Sequence, residues 1–268
     1  MIMSIVVALA ICGAVGLCVL LQGFQSLAFL WQLPLLFAGL WVVLTLLALG
    51  YLILRCAMIS MDEPISEDPK TRRLMIRYIH FMLRLFQVQV RATGLEQVPK
   101  DRRFLLVCNH LSMVDPLILH HCLPRSQLAF ISKQENESFF VINKLMHRTS
   151  CQPINRENDR EALKTILRCI DILRQDQASI AVFPEGYTSK DGALQPFRNG
   201  VFKIAQKAKT PIVVCTIRGS APILRRAATL RPTRVQLDVL SVHQPETFPA
   251  TTKDIGDLVH AEMQEKLS

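Results

Sequence analysis

Phe104-Leu105-Leu106-Val107-Cys108-Asn109-His110-Leu111-Ser112-Met113-Val114-Asp115-Pro116 decides the fold. The apolar run Phe104 to Cys108 reads as a strand buried on both faces. A short polar turn follows, and then a helix over Pro116 to Cys122. In α/β folds such a turn lies at the carboxyl end of the sheet, where ligands bind. His110 and Asp115, five residues apart across the turn, can hydrogen-bond. The carboxylate then holds one imidazole tautomer and stabilises its protonated form, leaving the other nitrogen to accept a proton. Taken alone, the same residues also fit a helix cap by Asp115 beside an incidental histidine.

Further along the chain the pattern repeats. Leu128 to Ser132, Ser179 to Phe183, Pro211 to Ile217 and Val235 to Leu240 are short apolar or β-branched runs, each predicting a strand. Asn158 can cap a helix carrying Leu163, Ile166, Leu167, Ile170 and Leu173 at helical spacing, with Glu161 three residues after the cap. Gly200 to Ala208 and Thr252 to Leu267 read as further helices. Strands alternating with helices predict an α/β domain with a mainly parallel sheet flanked by helices.

Upstream, the composition changes. Residues 1–54 contain no charge, so all 31 basic and 22 acidic residues, and the net charge of +9, fall after Leu54. Ile2 to Leu21 is an apolar run of bilayer length, and a second runs from Leu27 to Leu54 beyond the break Gln22 to Ser26. Neither a basic leader nor a small-residue cleavage site accompanies them, so residues 1–54 read as an uncleaved membrane anchor. A helical hairpin is expected there; a single span with a re-entrant segment at Pro34 is the alternative. The basic residues that follow place the globular part on the cytoplasmic side. Residues 55–90 read as a linker and an amphipathic helix over Thr71 to Phe86. Its stripe Arg73, Arg77, His80 and Arg84 suits an anionic membrane interface, although a core helix with a solvated basic edge shows the same pattern. The globular domain proper is expected over residues 91–268.

Three further features bear on chemistry. Phe183-Pro184-Glu185-Gly186 ends an apolar strand; Glu185 can orient a hydroxyl, and Gly186 permits close backbone approach. Arg156 can grip a phosphate through its planar fork. No serine or cysteine sits in a nucleophile elbow, because Arg218-Gly219-Ser220 lacks the second glycine. The eight cysteines show no metal-ligand spacing and read as reduced, buried thiols. A substrate hydroxyl is therefore the expected nucleophile.

Together these segments resemble the 1-acylglycerol-3-phosphate acyltransferase family of the glycerolipid acyltransferase superfamily. Asn109-His110 to Asp115 matches its NHxxxxD motif, and Phe183-Pro184-Glu185-Gly186 its FPEG core. Ile131 to Glu135 resembles its lysine-bearing strand, Ile154 to Asn158 the segment whose arginine binds glycerol phosphate, and Phe197-Arg198-Asn199-Gly200 its F-[KR]-x-G element. The blocks occur in family order over roughly Arg72 to Leu240. One departure stands out, since Tyr187 and Thr188 occupy the places of the usual Thr-Arg.

The resemblance implies transfer of a fatty acyl group from acyl-CoA or acyl carrier protein to lysophosphatidic acid, giving phosphatidic acid. His110 and Asp115 would be the catalytic pair. Asn109, Lys133, Arg156, Glu185, Gly186 and Arg198 would bind substrate, with Lys133 and Arg156 on the acceptor phosphate. No metal or bound cofactor is implied, and the partners are membrane phospholipids rather than nucleic acid. Alternatives are another acceptor, glycerol 3-phosphate or a different lysolipid, and a noncatalytic membrane-tethered lipid-binding protein.

Overall fold

The computed structural model describes residues 2–20 and 29–268 and divides into two units, residues 1–60 and 61–268. The first unit contains α1 (Ile2–Leu20) and α2 (Phe29–Ala57). Val6, Ala10, Ala14 and Cys18 recur every four residues and are buried, so small side chains line the face on which α1 packs against α2. Gly13 belongs to this contact, because a Cβ there would run into Leu40. Ile5, Leu9, Leu46 and Leu47 point outward. Both helices are long and apolar enough to cross a membrane. The expected break at Gln22 to Ser26 lies outside the described residues, and α2 runs three residues beyond Leu54.

The second unit holds α3 (Pro69–Leu85), β1 (Val88–Thr93), β2 (Leu105–Cys108), α4 (Asp115–Cys122), β3 (Leu128–Lys133), α5 (Phe140–His147), β4 (Gln152–Ile154), α6 (Asp159–Arg174), β5 (Ser179–Val182), α7 (Lys203–Ala208), β6 (Ile212–Arg218), α8 (Ile223–Ala228), β7 (Thr233–His243) and α9 (Thr252–Leu267). The sheet order is β1-β7-β6-β2-β5-β3-β4, parallel throughout except at β6–β7. Sequence reading thus anticipates the mainly parallel sheet, while the edge strands β1 and β4 are additions.

Alternation along the strands divides the core in two. Leu106, Cys108, Val213, Cys215 and Ala181 face one layer with Met75, Ile79, Leu83, Ile118 and Leu119 from α3 and α4. Leu105, Val107, Ile180, Ile212 and Val214 face the other with Cys169, Ile170, Leu173, Ile204, Ile255 and Val259 from α6, α7 and α9. The predicted cap on α6 is present: Asn158 Oδ1 accepts from Arg160 N and Glu161 N at 3.1 and 3.2 Å.

α3 packs into the unit that holds the sheet, upstream of the boundary expected at residue 91. The helix lies within the second unit and buries Arg72, Met75, Tyr78, Ile79, Phe81 and Leu83. Arg72 grips both oxygens of Glu67 and donates to Leu128 O and Thr149 O at 2.8 and 2.9 Å, so a buried guanidinium is fully satisfied. Only Arg73, Arg77 and Arg84 keep to an exposed edge. The apolar residues of this helix fill a core layer.

Candidate active site

β2 delivers the site. Cys108 ends the strand, and Asn109 continues its ladder with a side chain in place of a backbone. The Asn109 amide donates to Ile217 O at 3.0 Å and accepts from Ile217 N at 2.7 Å, clipping the end of β2 to β6. Asn109 is buried, and this clip uses both ends of its amide. Through this clip Asn109 positions the turn that carries His110.

The loop after Asn109 is wound around one carboxylate. Asp115 Oδ2 accepts from Leu111 N and Ser112 N, each at 2.7 Å, and stands 2.9 Å from His110 Nδ1. Asp115 is wholly buried, whereas the His110 side chain is 17% exposed. Two backbone donors orient the Asp115 side chain, and it in turn fixes the Nδ1–H tautomer of His110. Nε2 then remains a proton acceptor. Among the described residues no serine, threonine or cysteine side chain hydrogen-bonds to the His110 ring.

The strand β5 and the turn after it hold His110 from the other side. Glu185 Oε1 accepts from His110 N at 2.7 Å, and Ser189 N donates to His110 O at 2.8 Å. Phe183 stacks on the imidazole, centroids 4.1 Å apart and planes 15° from parallel. Glu185 Oε2 accepts from Gln195 N at 3.0 Å, which folds the 187–195 loop back over the turn. Burial pushes the Glu185 carboxyl above its ordinary range, and these two N–H groups pull against that. At 1% exposure Glu185 has both oxygens engaged by backbone N–H groups, and it braces His110. The stacking by Phe183 and the clamps by Ser189 and Gln195 escape sequence reading. Only Phe183 carried a signal, its place in the apolar run.

The candidate cations surround the same end of the sheet. Arg156 follows β4 and is half-buried; burial and then the nearby Arg198 guanidinium hold it below its ordinary range, against Glu135. Two guanidiniums this close make a site that an anion would relieve. Gly186 makes their approach to the turn possible. Its φ is +80°, and a Cβ there would lie 2.9 Å from Arg198 Nε. Arg198 is fixed through its own N–H, 2.8 Å from Pro184 O. Lys133 stands at the end of β3, exposed, with Nζ 2.5 Å from Glu135 Oε1; the structure brings it beside Glu135 rather than onto the guanidinium pair. Tyr187 is half exposed, its hydroxyl 3.5 Å from Gln195 Oε1.

Known proteins resemble this chain in sequence and fold. The profile of the family described as Acyltransferase matches residues 89–218, from β1 to the end of β6. A probable 1-acyl-sn-glycerol-3-phosphate acyltransferase of Mycoplasma pneumoniae is 32% identical over 65% of this chain and 66% of its own. A chloroplastic 1-acyl-sn-glycerol-3-phosphate acyltransferase of Brassica napus is 35% identical over 49% of this chain and 38% of its own. The chain thus spans less than two thirds of the length of either relative. The crystal structure of PlsC, the 1-acyl-sn-glycerophosphate acyltransferase of Thermotoga maritima, superposes with a TM-score of 0.61 over 81% of this chain and 86% of that one. At 23% identity it attests the fold. The matched region runs through the His110–Asp115 turn and the Glu185 brace, and residues 89–218 are thereby an acyltransferase-family domain.

Proposed function

We propose that this chain transfers a fatty acyl group from a thioester donor, acyl-CoA or acyl carrier protein, to the free hydroxyl of lysophosphatidic acid, making phosphatidic acid. The observation that carries this reading is the His110–Asp115 pair: one ring nitrogen faces a buried carboxylate, and among the described residues no protein nucleophile hydrogen-bonds to the other. The acceptor hydroxyl attacks the thioester carbonyl while His110 Nε2 takes its proton, and the proton passes to the departing thiolate. Asp115 stabilises the imidazolium that forms. Arg156 and Arg198 supply the cationic pair for the acceptor phosphate, and the lipid acceptor accounts for two bilayer-length apolar helices ahead of the catalytic unit. The positive-inside rule puts that unit on the cytoplasmic side, and no metal or bound cofactor enters the chemistry.

Purified full-length protein is to be assayed with lysophosphatidic acid, monoacylglycerol and glycerol 3-phosphate, each with both donors. Two charge-assisted hydrogen bonds at roughly 1.5–3 kcal/mol each favour lysophosphatidic acid over monoacylglycerol by about 10²-fold or more in kcat/KM. His110→Ala lowers kcat by at least about 10²-fold with folding intact. Equal use of the two acceptors would overturn the substrate assignment and point to Tyr187 and Thr188 as marks of another acceptor. Near-normal turnover by folded His110→Ala would remove the mechanism.

A further inference from the structure

The net charge of this chain is concentrated in one tract. Residues 192–237 hold nine basic and no acidic residues, so the remainder, with 22 of each, is neutral overall. Five of the nine, Arg218, Arg225, Arg226, Arg231 and Arg234, lie in the segment around α8 that joins β6 to β7. β6 runs parallel to β2, so this segment and His110 share one end of the sheet. Arg218 lies 3.6 Å from Asp238. Among the described residues no carboxylate stands within ion-pair distance of Arg225, Arg226, Arg231 or Arg234.

Two leucines project among these arginines. Leu224 is 44% exposed and Leu230 77%. Leu230 is built into place: its φ is +54°, its N–H donates to Ala227 O at 3.1 Å, and its carbonyl accepts from Gln87 Nε2 at 3.3 Å. Arg226 Nη1 donates to Pro232 O at 2.9 Å and Arg231 N to Arg226 O at 2.8 Å, which closes the loop. A leucine held in the left-handed region is an unfavourable choice for a solvated turn. On the other flank of His110, after β3, Phe139, Phe140 and Ile142 are also exposed, with Lys144 Nζ 5.9 Å from the Phe140 ring centroid. Three strand spacings separate β6 from β3, about 14 Å at 4.8 Å each.

We propose that Arg218–Arg234 is a bilayer-docking element: its arginines engage anionic phospholipid headgroups, Leu224 and Leu230 enter the acyl boundary, and the mouth of the His110 site is seated on the membrane. Cations around projecting aliphatic side chains are the pattern of an interfacial anchor. A nucleotide phosphate would be held by converging donors in a cleft, whereas these arginines fan out around two protrusions. An acidic protein would meet the arginines, but the second apolar rim beyond β5 calls for a partner as wide as the sheet edge. Docking rests on the proposed acyl transfer only for the reason the mouth must meet lipid.

The full chain is to be reconstituted in nanodiscs of phosphatidylcholine, with and without phosphatidylglycerol, and amide hydrogen exchange followed over residues 219–231. Exchange there is expected to slow in the anionic discs, less so as salt rises. Each arginine at an anionic surface strengthens attachment about fivefold. Arg225→Glu combined with Arg231→Glu should therefore lower kcat/KM on bilayer-borne lysophosphatidic acid by about tenfold or more, and leave a water-dissolved short-chain acceptor unaffected. Leu230→Asn, a residue that tolerates left-handed backbone, should weaken protection with the fold preserved. Equal exchange in both discs, or an unchanged kcat/KM in the double variant, overturns the proposal. Protection by an acidic carrier protein in place of anionic lipid overturns it in that partner's favour. Wild-type protein inert on both acceptors would sink the acyl-transfer reading and leave the exchange result to judge docking.

Discussion

A carboxylate as buried as Glu185 is destabilising unless its oxygens are satisfied, and here both accept backbone N–H groups, one of them from His110. Glu185→Gln keeps the volume but turns an NH₂ toward one of those donors. It should lower kcat by about tenfold or more with KM little changed, because the imidazole loses its brace while the acceptor cations remain. Its raised pKa fixes the sign of a second readout. The folded state binds this proton more tightly than the unfolded chain, whose value is about 4.3. The favourable contribution is therefore fully present below that pH and is lost as pH rises through the raised folded value. Urea unfolding should show wild type gaining stability over Glu185→Gln as pH falls toward 4; a constant difference would remove the burial argument. Sequence reading places His110 with Asp115 because they lie five positions apart across one turn. It names Asn109 and Glu185 without their backbone partners, because a motif does not show which way a polar group faces. Ile217, the partner of Asn109, lies 108 residues away in sequence.

At the scale of elements, long apolar runs were legible and short or two-sided ones were not. β2, β3, β5, β6 and β7 announce themselves by β-branched, nearly charge-free stretches, and α6 by its cap and period. β4 has three residues, one of them Pro153, and α8 has six, too few for a period to emerge. β1 alternates half-buried and exposed positions along the sheet edge. In α3, cations and apolar residues at helical spacing fit both a membrane surface and a protein core, and only tertiary contacts distinguish them. Arg72 provides the test. Arg72→Met removes the partner of a mostly buried Glu67 and the donors to two carbonyls, and should destabilise by about 3–5 kcal/mol. Alanine at Arg73 or Arg77, on the exposed edge, should stay within about 0.5 kcal/mol. Urea midpoints for the three variants decide it, and equal small effects would restore an interfacial role to the whole helix.

Considered as a whole molecule, the chain separates its lipid-facing and core-forming residues. Among the described residues, both core layers of the second unit draw on residues from Met75 to Met263. A chain beginning at Met61 should therefore unfold in one cooperative transition, since its sheet and both covering layers are complete. Under the proposed function, the apolar helices act on where the second unit is found. Tethering to a bilayer replaces a search through bulk water with a high effective concentration at the surface, a gain commonly reaching about 10²-fold without any new contact at the site. The shortened chain should then turn over a water-dissolved short-chain acceptor with kcat within about threefold of wild type, an allowance for small adjustments of the site. On bilayer-borne lysophosphatidic acid it should lose about tenfold or more in kcat/KM, the lower part of that tethering range. Thermal unfolding followed by circular dichroism, with both assays on the same preparation, gives the answer. A shortened chain that unfolds without cooperativity would show that the helices complete the catalytic fold. One that folds yet keeps full activity on vesicles would show that the acyltransferase unit finds the membrane by itself.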